Sequence, residues 1–480
     1  MSTSSLESNI HSAVGKGLSA VGKLSAALKP APDAPHPYLT GIHQPMGEEL
    51  TLTDLAVTGT IPDGLKGRYL RIGPNPVTAP NPNAYHWFVG DGMAHGIRIE
   101  GGKAQWYRNR WVRTTAVSEA LGEPPAPGPR GVLEVVNTNI IGHAGRTFAI
   151  VEAGGFPVEL TDGLETVAHN PFDGTLENAF SAHPHIDPAT GEAHAVCYKA
   201  GVMDKVWHTV VDASGKVIRE EPISVTHGPS IHDCQITCDH VILFDLPITF
   251  SMKAMLGGHS FPYRWNDKHK ARVGLLGRTA PGDSIIWYDV DPCYVFHPAN
   301  AFVDEAGQTV VDVVVHDRLF DAVTFGPDES RTAFERWTFD EASRRVIRAV
   351  IDSDGQEFPR YDERLTTQAY RYAYAVGVRN DRQDSLINDT TLIKHDLQSG
   401  QKQVRNFGAN RHPGEFVFVP RHEDAAEDEG WLIGLVVDMN DDTTDLIILN
   451  ADDMLGDPQA IIHLPHRVPP GFHGNWVADR

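Results

Sequence analysis

Four short stretches set a histidine among small or apolar neighbours: "SAHPHIDP" at 181–188, "SIHDCQIT" from 230, "VFHPANAF" from 295 and "GFHGNWV" from 471. Neutral imidazole is the commonest metal ligand in proteins. The chain holds 24 histidines, so residue type alone selects none of them. The intervals His183 to His232, His232 to His297 and His297 to His473 are 49, 65 and 176 residues. Such gaps are unlike the H-x3-H of a helix-borne zinc site. They suit ligands supplied by separate segments that converge on one point; the competing reading is four unrelated histidines in the surface or core. Imidazole suits iron, copper, zinc and nickel alike, so ligand type does not choose the ion. Four neutral imidazoles would leave a charge of +2 uncompensated, which calls for carboxylates that accept the outer N–H of each ring. Glu152 in "AIVEAGGFP", Glu357 in "GQEFPR" and Glu415 in "GEFVFVPR" stand in strand-like or turn contexts among apolar residues, against the plain alternative of surface carboxylates.

The elements that must position these groups read as strands. "GRYLRIG", "HGIRIEGG", "TFAIVEAG", "HAVCYKAG", "HVILFDLP", "QTVVDVVVHD", "WLIGLVVDM" and "TDLIILNADD" alternate or run fully apolar, and turn clusters such as "PDG", "EGGK", "DASGK" and "DEAGQ" separate them. Short strands over some 440 residues must manage their sheet edges, and radial repetition into a propeller of about seven blades, roughly 60 residues each, is one of few solutions. Two packed sheets or tandem β domains are the alternatives on pattern alone. Residues 1–29 stand apart: Ile10, Val14, Leu18, Val21, Leu24 and Leu28 form one apolar stripe of an amphipathic helix, with Lys16, Lys23 and Lys29 against Glu7. That helix either lies on a membrane surface or docks on the protein body. A Pro-rich linker, residues 30–36, follows it. Residues 37–480 read as a single catalytic domain.

Composition narrows the function. With 63 Asp and Glu against 41 Lys and Arg the formal net charge is −22, which argues against nucleic acid as a partner. Four cysteines, Cys197, Cys234, Cys238 and Cys293, are too few for a disulfide scaffold, and the C-x3-C of Cys234 and Cys238 lacks a second thiol pair for zinc. They read as free thiols in a reducing compartment. There is no apolar run of 18 residues and no secretory pattern in "MSTSSLESNIHS", so the expected location is cytoplasmic, with contact at the inner membrane if the stripe binds lipid. Neither G-x-G-x-x-G nor C-x-x-C-H occurs, so neither a nicotinamide or flavin cofactor nor attached haem is expected.

Taken in order, "GRYLRIGPNP", "YHWFVGDGMAHGIRIEGGKA", "YRNRWVRT", "NTNIIGHAGRTFAIVEAGGFPVEL", "FSAHPHIDPATGE", "SIHDCQIT", "VFHPANAF", "EFPR", "FVFVPR" and "HGNW" resemble the carotenoid cleavage oxygenases over roughly residues 37–480. The resemblance implies an all-β fold, a seven-bladed β-propeller with a small helical or loop cap over the active-site face. It implies one Fe(II) per chain on the propeller axis, held by His183, His232, His297 and His473, which leaves His185 a bystander. Glu152, Glu357 and Glu415 become the carboxylates behind the ligands, and Thr138 of "NTN" falls near the open coordination site. The implied reaction uses O2 as cosubstrate to split one C=C bond of a hydrophobic polyene into two carbonyl products. Iron can pass electron density to O2 where zinc cannot.

The family divides into carotenoid or apocarotenoid cleavers and stilbene or phenylpropene cleavers. In the second group a Lys typically precedes the first glutamate and contacts a phenolic oxygen; here that residue is Val151. An apolar residue there favours a hydrocarbon chain. Phe296, beside His297, is expected in the tunnel wall, and residues 248–265, rich in Met, Phe and Leu, at its mouth. Two departures stand out: Val303 replaces an acid common soon after "NA", and the palmitoylated-loop signature of the vertebrate retinoid isomerase is not recognisable.

Overall fold

The computed structural model describes residues 35–321, 325–327, 330–380 and 387–479. The amphipathic stripe of 1–29 and most of the linker lie outside these residues. The described chain is almost entirely antiparallel β-structure, with two α-helices of seven and five residues, Thr115–Leu121 and Met252–Leu256.

The expected arrangement of seven blades under a helical cap is not what the strand pairing gives. Five sheets of four or five strands stand as separate blades, and one continuous sheet has eight strands. Its strands run in the order Cys234–Ile236, His240–Asp245, Arg272–Gly277, Ile286–Asp289, Arg345–Asp352, Thr332–Asp340, Thr309–His316 and Pro298–Val303. The join is one parallel pairing, Asp289 with Arg345. This large sheet curls until its two edge strands meet, nearly closing a barrel; there the Gln235 amide donates to the Ala299 carbonyl at 2.8 Å. Propeller blades and closed sheets answer the same need, since an unpaired edge invites aberrant pairing. No helical cap exists among the described residues: the cover comes from the single 3-10 turn Trp87–Val89 and the loop that carries Ser260 to Tyr263.

Local sequence explains the elements. Thr332–Asp340, "TAFERWTFD", alternates buried and half-exposed residues as a sheet face requires. The hairpin between Gly92–Glu100 and Lys103–Trp111 turns on Gly101 and Gly102, both at positive φ, the backbone of a tight primed turn. Outermost strands are polar and exposed, as in Gln401–Asn406, whereas the strands nearest the centre, such as Cys234–Ile236, are wholly buried. The chain closes on itself where Gly67–Pro74 pairs with Gly474–Ala478 and Ala56–Gly59 with Ala460–Leu464.

The largest apolar cluster surrounds the eight-stranded sheet and includes Ile242, Leu243, Leu276, Val313 and Trp337. Trp337 is fully buried, its indole N–H donates to Glu335 at 2.8 Å, and the Arg348 guanidinium lies over its ring. Trp337→Ala should therefore lower unfolding free energy by about 3–5 kcal/mol, the cost of an aromatic cavity. A urea midpoint within error of the parent would show that this sheet does not depend on that core.

Candidate metal centre

Each of the four histidines stands one or two residues ahead of a strand at a sheet edge. His183 precedes His185–Ile186, His232 precedes Cys234–Ile236, His297 precedes Pro298–Val303 and His473 precedes Gly474–Ala478. His232 and His297 thus come from the two opposed edges of the curled sheet. His183 Nε2 and His232 Nε2 are 3.1 Å apart, as are His232 Nε2 and His297 Nε2. The His473 ring centroid lies 4.4 Å from that of His183 and 4.7 Å from that of His297. One ligand nitrogen from each residue falls within a 4.8 Å cluster, and all four rings are buried.

Carboxylates stand behind three of the rings. His232 Nδ1 is 2.8 Å from Glu152 Oε1, His297 Nδ1 is 2.6 Å from Glu357 Oε2, and His473 Nδ1 is 3.1 Å from Glu415 Oε1. These contacts place the ring proton on Nδ1 and turn the Nε2 lone pair inward. The edge strands that supply Glu357 and Glu415 are irregular there, with register shifts between Glu357 and Arg360 and between Pro413 and Phe416. Such bulges re-aim side chains beside functional sites. Phe358 adopts φ of 54°, an uncommon backbone for a bulky residue, and its ring stacks on His297 with centroids 5.3 Å apart.

Electrostatics follow burial and these contacts. Burial, and then the neighbouring imidazoles, press His183 well below the usual histidine range. His473 is lowered chiefly by burial, which outweighs Glu415. For His297 burial is opposed and outweighed by the charge of Glu357, so its pKa rises. Burial opposes ionisation of Glu415, yet Arg360 and His473 hold it down to about 2. Glu357 is likewise held below the carboxylate range by His297 and His316 in spite of burial.

The donor set fits one divalent ion. Nitrogens about 2.1 Å from a shared ion lie about 3.0 Å apart at right angles and about 3.4 Å apart at a tetrahedral angle. The observed 3.1 Å separations match the right-angled arrangement, which leaves positions for small ligands. Three carboxylates behind the rings offset the ion's charge.

The centre lies between two cavities. One, about 850 Å³ counting its open mouth, is lined by Trp87, Phe88, Leu133, Phe261, Phe472 and other largely apolar residues, and ends on His232, His297 and His473. Val151, Phe296 and Thr138 are in its wall. Thr138 Oγ1 donates to Asn137 Oδ1 at 3.0 Å, and its carbonyl accepts from the His473 amide. Residues 248–265 form a two-stranded ribbon, Ile248–Phe250 with Tyr263–Trp265, around the second short helix, and deliver Ser260 to Tyr263 to the cavity. The other cavity, about 1980 Å³, is polar and reaches His183, His297 and His473 past His185, Asp233 and Arg360.

Several residues near the site carry no sign in spacing. His316 Nε2 holds the second oxygen of Glu357 at 2.7 Å, and the Arg360 guanidinium reaches Glu415 at 3.4 Å. Asp233, directly after His232, lies 3.5 Å from His183 Nδ1 and 2.8 Å from His185 Nε2. The adjacency in "SIHDC" and the Arg in "EFPR" were the available signals. Of the cysteines three are buried and Cys238 is exposed; all four are free thiols. No described helix is long and apolar enough to cross a membrane.

A buried cluster of this kind, on this fold, defines a mononuclear non-haem iron centre. Residues 43–478 match the family model described as retinal pigment epithelial membrane protein. A carotenoid cleavage oxygenase of Mycobacterium tuberculosis is 41% identical, over 93% of this chain and 98% of its own length. A carotenoid 9,10(9',10')-cleavage dioxygenase of Phaseolus vulgaris is 30% identical over 93% and 90%. Among solved structures, a Synechocystis apocarotenoid oxygenase superposes with a TM-score of 0.82 at 26% identity, covering 94% of this chain and all of that one. A Pseudomonas brassicacearum lignostilbene dioxygenase gives 0.84 at 24% identity, again covering 94% and 100%, and bears on the fold alone. The chain belongs to the retinal pigment epithelial membrane protein and carotenoid oxygenase family. It is an Fe(II)-dependent dioxygenase with one iron per chain, acting with O2 on a C=C bond of a polyene.

His183→Ala should lose iron and activity together, because it opens the cluster on one side. Glu415→Gln should keep part of the iron and lose part of the activity, since an outer partner typically contributes 10–100-fold. Metal analysis after desalting, with O2 uptake on the same samples, checks both; full activity in a metal-free preparation would sink the assignment.

Proposed function

We propose that this chain cleaves a carotenoid or apocarotenoid, and that His183, His232, His297 and His473 hold the iron. The observation that carries the substrate reading is the apolar cavity ending on three of those histidines. Among the described residues its lining includes no Lys or Arg, and Val151 occupies the place where a phenol-binding cation would stand. Val151 is buried and offers only methyl groups. The Mycobacterium and Phaseolus relatives are named for carotenoid cleavage, which supports the same class.

Bound iron supplies the reduced centre at which O2 is activated. The protein does the rest by placement. Phe88, Phe296 and Phe472 wall the cavity with aromatic rings, so a rod-like hydrocarbon buries apolar surface at about 25 cal/mol per Å² and leaves water outside. Confinement fixes which double bond lies against the centre, and orientation of this kind contributes much of a rate. Thr138 narrows the cavity beside His473, and Glu152, Glu357 and Glu415 keep the rings turned. Both oxygen atoms of O2 leave in the two carbonyls as the C=C bond breaks, so no external reductant enters the balance.

A lignostilbene-type substrate is the competing reading, favoured by Tyr198 and Tyr263, which line the same cavity with Glu152. Iron-loaded protein in detergent and air, given one apocarotenal and one hydroxystilbene, separates the two by mass spectrometry. Aldehydes from the apocarotenal are expected, and Val151→Lys should depress that turnover at least tenfold. Cleavage of the stilbene alone would overturn the substrate reading and leave the iron centre standing.

A further inference from the structure

Three of the four rings have a glutamate behind them; His183 has none. We propose that Asp233 and His185 form the positioning pair for His183, completing a ring of four carboxylates around the centre. The inference rests on the four-histidine reading of the iron site. Among the described residues Asp233 is the carboxylate facing His183 Nδ1, with Oδ2 at 3.5 Å, and its side chain is 4% exposed. Its other oxygen is pinned twice: the Cys234 amide donates to Oδ1 at 2.6 Å, and His185 Nε2 lies 2.8 Å from the same atom. Two donors on Oδ1 leave the lone pairs of Oδ2 directed at the His183 ring. The carboxylate is therefore held from behind, as His316 holds Glu357 and the Gly474 amide holds Glu415.

Chain geometry accounts for the residue choices. Alternate residues on extended backbone share a side, so His183 and His185 can face one carboxylate. Neighbouring residues point apart, so His232 turns to the centre while Asp233 reaches across to the preceding edge strand. One dipeptide thus supplies a ligand and the partner of a different ligand. The aspartate reaches His183 from the segment that carries His232, whereas the three glutamates come from other segments. His185 also lines the polar cavity, on the far side of the centre from the apolar one.

The competing role for Asp233 is local: to cap the Cys234 amide and nothing more. Asp233→Asn separates the two, because Asn still accepts from that amide but carries no charge. Full-length protein, stripped of metal, is titrated anaerobically with Fe(II) and with Co(II) against a competing chelator, and the visible bands of the Co(II) form are recorded. Asp233→Asn should bind both ions about 10- to 100-fold more weakly and shift the cobalt bands. His185→Phe should move both readouts in the same direction by less, and His185→Gln, which keeps a donor, should restore them. Parent-like affinity and bands in Asp233→Asn would overturn the proposal and leave only the cap. Should Asp233→Asn fail to fold, His185→Phe decides alone, since it leaves the cap intact: parent-like values there overturn the pair. A parent protein that takes up neither ion would overturn the four-histidine reading and this inference with it.

Discussion

Four imidazole lone pairs aimed at one buried point repel one another unless a cation sits among them and anions stand behind them. Much of the centre of this molecule answers that demand. Glu152, Glu357 and Glu415 are buried or nearly so, a costly place for charge, and each is tolerable because a ring N–H meets it. The Gly474 amide and His316 then satisfy the remaining oxygens of Glu415 and Glu357, and Arg360 adds a cation beside Glu415. Each of the three carboxylates thus meets a ring nitrogen, and apolar packing begins at the margin with Phe296 and Phe358.

The fold meets the demand by bringing sheet edges together. Edge strands ordinarily present unpaired backbone and invite aggregation. Here the innermost edges converge, and residues just before or within them point at the axis. The curled eight-stranded sheet contributes two of the four clustered histidines because both its edges arrive at the same place. Rigid strands hold the nitrogens more closely than loops would, and the bulges at Glu357 and Glu415 bend the backbone only where a carboxylate must turn.

Much of this was legible in the sequence, for a physical reason. Ligands and their carboxylates are chemically unusual residues in fixed local settings, so "SAHP", "SIHD", "VFHP" and "HGNW" carry them visibly. Strand alternation in "TAFERWTFD" and the paired glycines of "EGGK" are equally local. What escaped was decided between distant segments. Whether two sheets stay separate blades depended on one pairing, Asp289 with Arg345, and neither residue advertises it. The cover was expected as a small helical or loop cap and is built of loop and a single 3-10 turn, because aromatic side chains such as Trp87 and Phe88 supply the closure whatever their backbone. His316 lies 41 residues from Glu357, and no spacing rule joins them.

The pairing of Gly67–Pro74 with Gly474–Ala478 ties segments far apart in sequence into one sheet. His473 stands at the entrance to the second of these strands, so its ring reaches the other three histidines only when that long-range closure forms. Metal capture would thus report that the distant ends of this sheet have met.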